Sequence, residues 1–404
     1  MKEKINISLI LKIFLYIQPI LDLITSIMIN YLNINLTIGM IVRFLFMLFI
    51  IFYYLFIKKV SKIKIYYLLS VLLFMIISII IIIINKDIYV LKSELTNIIK
   101  ILYFPILLTL IDKKDIKIKI NDLINISLIY MLLIFIPNLF NISYNSYTQG
   151  KIGSVGLFNS GNEISAILSI LNPFIIYYLF NKNNNYKKIL LICLMLLTYF
   201  QMGSKIIIIS LIISIAYNIY LFLKNNKVDK KYIYISLITI LLLIILGLII
   251  IPKTNFYYNI KLHLSYLEIN SFKDVFTFKF INRFIFSDRL TYLINNTNVY
   301  LNSSILNKLF GIGTILNYAT DSIIIKSIEM DLFDIFYSLG IIGFIIYIIP
   351  IIKNIKNKGI YMFSIILCFI IAILVGHTLV APAVSIYLIY LMKSGEKHWK
   401  TYLL

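Results

Sequence analysis

Charged residues are scarce in this 404-residue chain: Asp, Glu, Lys and Arg make up 14% of it, against about 25% in an ordinary soluble domain. With 61% apolar residues, that shortage excludes a water-soluble fold. Cysteine is nearly absent. Cys193 and Cys368 both lie in apolar runs, which excludes a disulfide or zinc framework and makes them small hydrophobic residues. The histidines are His263, His377 and His398, far apart and without HxxxH or HxxE spacing, so neither a metal site nor a cofactor is expected. Arginine is as rare, occurring only as Arg43, Arg283 and Arg289, so each is a candidate for a specific role. Acids are outnumbered 38 to 17 by Lys and Arg, a net charge of +21. Without a broad polar surface this basic balance does not indicate nucleic acid; it fits lysine-rich cytoplasmic loops.

What is present in abundance is apolar sequence of bilayer-spanning length. A hydrocarbon core about 30 Å thick takes roughly 20 helical residues. Such runs fall near 8–31, 35–57, 66–85, 90–111, 122–142, 161–181, 188–202, 205–223, 232–251, 331–352, 360–376 and 378–393. The fold class expected is therefore an all-α polytopic membrane protein with about twelve transmembrane helices. Alternation from a cytoplasmic N-terminus puts the clusters Lys58 to Lys64, Lys113 to Lys119, Lys182 to Lys188, Lys224 to Lys231 and Lys353 to Lys358 inside, with both termini. The connections near 32, 87, 203 and 377 then lie outside and carry few cations. The first run exceeds 20 residues and lacks a small-residue cleavage pattern, so it is expected to stay in the mature chain.

Three parts follow: residues 1–251 with nine spans, 252–330 as one large external loop, and 331–404 with three spans and a cytoplasmic C-terminus. The loop is rich in Tyr, Phe and Asn and carries apolar clusters at Phe276 to Phe280 and Phe284 to Phe286. Short interfacial helices are expected there.

Charges inside or beside spans need a partner or a task, since each costs at least about 2.5–3.5 kcal/mol at the bilayer centre. Asp22 and Arg43 flank the turn near residue 32 at similar depth, as a packing ion pair or a substrate contact. Gly156-Leu157-Phe158-Asn159-Ser160-Gly161-Asn162 precedes Glu163 at the start of a span; Asn159 and Asn162 there suit sugar hydroxyls, and the same residues also make an ordinary helix-entry turn. Lys205, in Gly203-Ser204-Lys205, opposes the dipole of the helix it begins, as a substrate cation or a lysine reaching lipid phosphate. Ser287-Asp288-Arg289 places an arginine where its forked guanidinium can hold a pyrophosphate, with Arg283 six residues before it. The other reading is a surface pair with Asp288. Gly311-Ile312-Gly313 leads to Asp321, Glu329, Asp331 and Asp334, acids that can deprotonate a hydroxyl or stabilise a helix start.

In this order the motifs resemble those of the O-antigen ligase and Wzy polymerase superfamily of membrane glycosyltransferases. The matching pieces run from Gly156-Leu157-Phe158-Asn159-Ser160-Gly161-Asn162 through Gly203-Ser204-Lys205, Ser287-Asp288-Arg289 and Leu309-Phe310-Gly311-Ile312-Gly313 to Glu329-Met330-Asp331 and Gly340-Ile341-Ile342-Gly343. Where the ligase branch has a histidine eleven residues before the first glycine of the last motif, this chain has Glu329, as the polymerase branch often has an acid. Lys205 stands where the family commonly has arginine. The resemblance implies inverting, metal-independent transfer from an undecaprenyl-pyrophosphate-linked oligosaccharide at the outer face of a bacterial cytoplasmic membrane. Its expected partners are that lipid-linked glycan, the bilayer, and the flippase and chain-length regulator of the same pathway. The expected roles are Arg289 and Lys205 on the pyrophosphate, Glu329 as general base, Asp331 orienting the acceptor or replacing Glu329, and Asn159, Asn162, Arg283 and Arg43 in substrate contact. A lipid-linked oligosaccharide flippase is the competing class; the crowding of polar residues at one face and the single oversized loop favour an enzyme.

Overall fold

A computed structural model describes residues 6–34, 37–85, 88–145, 153–180, 186–225, 251–265, 276–314, 327–357 and 359–394. Among these residues helices are the only regular elements, apart from an isolated antiparallel bridge between Asn145 and Ser154. Seven helices have the length and composition to cross a membrane: Ile7–Asn30, Ile38–Ile57, Lys62–Ile84, Leu91–Leu110, Ile120–Leu139, Gly161–Phe180 and Asp331–Asn354. Lys205–Leu221, Gly359–Leu374 and Pro382–Lys393 are apolar but shorter. The protein is thus a multi-pass helical membrane protein. The span expected at 232–251 lies almost wholly outside the described residues, as does Asp321.

The chain forms two compact units, and it passes between them inside its first helix, at Gln18 and Pro19. The first unit comprises Met1–Gln18, Thr37–Ile118 and Val275–Leu404. It holds the first half of α1 (Ile7–Asn30), α2 (Ile38–Phe52, continued by a π-turn, Tyr53–Ile57), α3 (Lys62–Asn85) and α4 (Ile88–Leu110). The core is built around α4, which packs against helices that follow much later in the chain. Every side chain of Pro382–Lys393 is buried, and Tyr390 donates to the carbonyl of Leu11. At one end Lys58, Lys64, Asp112 and Asp115 form a charged cluster, with Lys58 2.8 Å and Lys64 2.6 Å from Asp112. Burial raises the Asp112 pKa, but the hydrogen bonds from Lys58 and Lys64 outweigh it and hold the carboxyl below its ordinary value.

The second unit, Pro19–Leu36 with Lys119–Asp274, contains α5 (Ile120–Leu139), α6 (Gly161–Phe180), α7 (Tyr186–Met202), α8 (Lys205–Asn225) and α9 (Asn255–Ser265). Helix α6 packs on α5 and α8 through polar as well as apolar side chains. Asn172 donates to Ser210 at 2.7 Å and accepts from the buried Tyr199 hydroxyl. In hydrocarbon such pairs join helices, because an unpaired amide there would cost more than one in water.

Candidate functional site

The site is built at the start of a helix near the C-terminal end of the first unit. Its frame consists of α10 (Arg289–Asn302), α11 (Ile305–Phe310), α12 (Asp331–Asn354), α13 (Gly359–Leu374) and α14 (Pro382–Lys393). Helix α12 is not continuous. Gly340 has φ 66° and ψ −173°, and the helix kinks there. The break frees the carbonyl of Tyr337, which accepts from the backbone N–H of Ile312 at 2.9 Å. A Cβ on Gly311 would fall 2.0 Å from the carbonyl oxygen of Ser338, and one on Gly340 would fall 2.4 Å from the nitrogen of Gly311. The Gly-Ile-Gly and Gly-Ile-Ile-Gly motifs are therefore two sides of one backbone contact.

Above the kink, α10 and α11 pack on α12 through a cluster of Tyr300, Ile312, Ile328, Met330 and Tyr337. The turn into α10 is made by Asn282, whose side chain accepts from Leu290 N–H at 3.0 Å and donates to Thr291 at 2.7 Å. Ser287 and Asp288 take left-handed φ values of 54° and 70°. Asp288 pairs with Arg283, not with the Arg289 beside it. Arg289 is left as the first residue of α10, its side chain 10% exposed, with Nη2 2.8 Å from Glu329 Oε2 and Nη1 3.4 Å from the carbonyl of Phe286. Its Nε is buried and has no hydrogen-bond partner among the described residues.

Two carboxylates in the first turn of α12 fix the loops around this arginine. Asp334 accepts from the N–H of Ile328 at 2.9 Å and of Met330 at 3.2 Å, which holds Glu329 between them at φ 60°. Asp331 is buried and accepts from three consecutive backbone N–H groups, those of His377 (2.8 Å), Thr378 (2.7 Å) and Leu379 (2.6 Å), and from the Thr378 hydroxyl (2.9 Å). The turn between α13 and α14 is thereby drawn onto the start of α12. Gly376 admits it, because a Cβ there would sit 2.6 Å from the carbonyl oxygen of Glu329.

The outcome is a cluster of Arg289, Glu329 and His377. His377 Nε2 lies 3.9 Å from Glu329 Oε2, the oxygen that also meets Arg289. His377 and, after it, Arg289 lower the Glu329 carboxyl to about 2, against the raising effect of its partial burial. Glu329 is thus an anion at any physiological pH. The side chains of Glu329 and His377 are 35% and 30% exposed, although His377 Nε2 is itself buried. Among the described residues no three His, Cys, Asp or Glu side chains gather as a metal-ion set would.

Of the residues singled out in the sequence, Arg289, Glu329 and Asp331 meet at this site, while Arg283 stands beside it in its pair with Asp288. Arg43 is buried in α2, donating from Nε to Gln18 at 2.8 Å, and Asp22 accepts from Tyr130 at 3.2 Å. In the second unit Lys205 opens α8 directly after Gly203, whose carbonyl accepts from Asn259 at 3.4 Å. Asn159 accepts from Asn30 at 3.4 Å, and Asn162 is the second residue of α6. Gly156 there has φ 64°, and a Cβ would meet the carbonyl oxygen of Leu133 at 2.4 Å, so part of that motif serves chain packing. The residue that sequence reading missed is His377. Its signal was topological: the connection near 377 was assigned to the same side of the membrane as the loop carrying Arg289 and Glu329.

The chain belongs to the family of O-antigen ligase-like membrane proteins, whose sequence profile matches residues 3–277 and 276–394. Membership sets it among membrane enzymes concerned with lipid-linked polysaccharide. No characterised protein and no solved structure matched the chain.

Proposed function

We propose that this protein is a polysaccharide polymerase of the Wzy type. It transfers a glycan, with inversion, from undecaprenyl pyrophosphate to the sugar hydroxyl of a second lipid-linked repeat unit at the outer face of the bacterial cytoplasmic membrane. The observation that supports this reading is the meeting of a buried arginine, an ionised glutamate and a histidine at the mouth of one helix in a protein of this family.

Arg289 has donors to spare, and its planar fork suits phosphate oxygens. Set on α10 in a largely buried position, it would stabilise the charge that grows on the pyrophosphate as the glycosidic carbon departs, and such preorganised donors are worth about 10²–10³ in rate. Glu329 faces the acceptor with its charge intact. A carboxylate held near 2 is a weak proton acceptor at neutral pH, so its contribution is charge more than basicity. Asp331, fully occupied by the turn at 377–379, serves as a positioning residue. Lys205, Asn159, Asn162, Arg283 and Arg43 are proposed as further contacts to the lipid-linked glycan. The flippase and chain-length regulator of the same pathway are its proposed partners.

The test is polymer formation in proteoliposomes, using purified protein and undecaprenyl-pyrophosphate oligosaccharide from the source bacterium, with product length read on a gel. Wild type is expected to give a ladder. Arg289→Lys keeps the charge but loses the fork and is expected to lower chain growth about 100-fold; growth at the wild-type rate would remove Arg289 from the pyrophosphate. Movement of the lipid-linked sugar between leaflets without any ladder would establish a flippase instead.

A further inference from the structure

We infer that Lys393 and Lys64 hold a phosphate group at the end of the first unit opposite Arg289, either the headgroup of an acidic lipid or free phosphate. This site is independent of the reaction proposed above. Lys393 is the last residue of α14. That end of the helix lies at the far end of α12, because Asn357, just past the last turn of α12, donates to the carbonyls of Leu391 and, at 3.2 Å, of Ser394. Two other segments come to the same place. One joins α2 to α3 and brings Lys58 and Lys64; the other leaves α4 and brings Asp112 and Asp115. Lys64 and Asp112 are the charged groups whose fields act on Lys393.

The charges gathered there do not cancel. Asp115 accepts from Lys58 and from the Tyr54 hydroxyl, and Asp112 from Lys58 at 2.8 Å and Lys64 at 2.6 Å. Lys64 also donates to the carbonyl of Leu110 at 2.7 Å. Three lysines thus meet two carboxylates that are both already taken. Lys393 is 8% exposed and makes no ion pair or hydrogen bond with any described residue. Lysine is almost never buried to this degree without a negative partner. The helix dipole favours a cation at this end, but it does not replace the acceptors that an ammonium loses when it leaves water.

A phosphate supplies what is missing. Its free oxygens can meet Lys393 and Lys64 together, at about 2.8 Å each, and a basic pocket between membrane helices is the setting in which lipid headgroups are held. The side chains of Lys58 and Lys64 are 20% and 19% exposed, so the cluster reaches solvent. Lys59, Lys62, Lys113 and Lys114 are exposed on the same two segments and add to the attraction for an anion.

The test uses the full chain purified in a phosphate-free detergent. Its thermal melting is titrated with dioctanoyl phosphatidylglycerol, with inorganic phosphate, and with dioctanoylglycerol, which has the same tails and no phosphate. A phosphate probe is expected to raise the melting temperature of wild type saturably. Lys393→Met keeps the side-chain length and is expected to weaken Kd about 10- to 100-fold, whereas Lys393→Arg keeps the charge and should bind within about threefold of wild type. A response to phosphatidylglycerol and none to inorganic phosphate identifies a lipid headgroup as the occupant; a response to inorganic phosphate shows that the free anion suffices. The inference is overturned if wild type responds to neither phosphate probe, if dioctanoylglycerol acts as strongly as phosphatidylglycerol, or if Lys393→Met binds as wild type does. Should Lys393→Met not fold, Lys393→Gln replaces it in the same titration.

Discussion

Glu329 and His377 share an uncommon backbone state, φ 60° and 59°, that costs a residue with a Cβ on the order of 1–2 kcal/mol. Glu329 is held in it by Asp334 and His377 by the buried Asp331, both in the first turn of α12. Strain of this kind persists where surrounding bonds over-determine it, and it gathers at working sites. The charge on Glu329 has a consequence for stability. Its carboxyl is lowered from 4.5 to about 2 in the folded protein. Protonation is thus opposed by folding: the stabilisation is fully present above pH about 4.5 and is lost as pH falls through about 2. Because the carboxylate is one-third exposed, its pairing is worth only about 1 kcal/mol. Thermal melting should show Glu329→Gln slightly less stable than wild type at pH 6, with the difference shrinking as pH falls below about 4. A gap that is the same at pH 6 and pH 3 would mean that Glu329 does not hold its charge through Arg289 and His377.

Among the elements, α12 organises the site by failing to be a regular helix. Its kink at Gly340 exposes the Tyr337 carbonyl that the Gly-Ile-Gly segment bonds, and its first turn supplies the two carboxylates that grip the adjacent loops. Gly340 lies in a backbone region open almost only to glycine, and a Cβ there would strike backbone atoms of Leu309 and Gly311. Gly340→Ala should cost at least about 2 kcal/mol and abolish polymer formation through loss of the α11 contact. Gly343→Ala meets the ring of Phe74 and the Cβ of Leu339; with an aromatic side chain able to move, it should cost less in the same melting assay. Asp334→Asn keeps one oxygen acceptor but not two. It is expected to lower activity about 10-fold while leaving the melting temperature nearly unchanged, since Glu329 would be displaced and not removed.

For the whole molecule, the distribution of lysine suggests a topology that can be tested. Lys58 and Lys64 converge with Asp112 and Asp115 where α2 ends and α3 begins, and we propose, by the positive-inside rule, that this end faces the cytoplasm. Since α12 is 24 residues long, about 36 Å of helix separates its first residue from its last. In the orientation we propose, Asp331, with the site, lies on the outer side and Lys353 on the inner. Single cysteines placed at residues 60 and 305, after replacement of Cys193 and Cys368, should react with a membrane-impermeant thiol reagent from the cytoplasmic and the outer side respectively. The reverse pattern would overturn the orientation and the outer-face assignment of the reaction.

Composition and hydrophobic run length by themselves determined the membrane class, the all-helical fold and most of the spans, because a bilayer imposes on every spanning segment the same length and the same internally satisfied backbone. The rarity of arginine likewise drew attention to Arg289, and the ordered motifs to the family. The tertiary structure alone decided which polar residues act together. In sequence, Asp288 is next to Arg289, yet Arg283 takes it; Asp331 reads as a candidate for the acceptor, yet its lone pairs are occupied by the turn at 377–379. His377 lies 48 residues from Glu329 and becomes its neighbour only because α13 returns the chain to the start of α12. Hydrophobic periodicity records which face is apolar and how long a span is; it carries no record of which loops a buried carboxylate will gather.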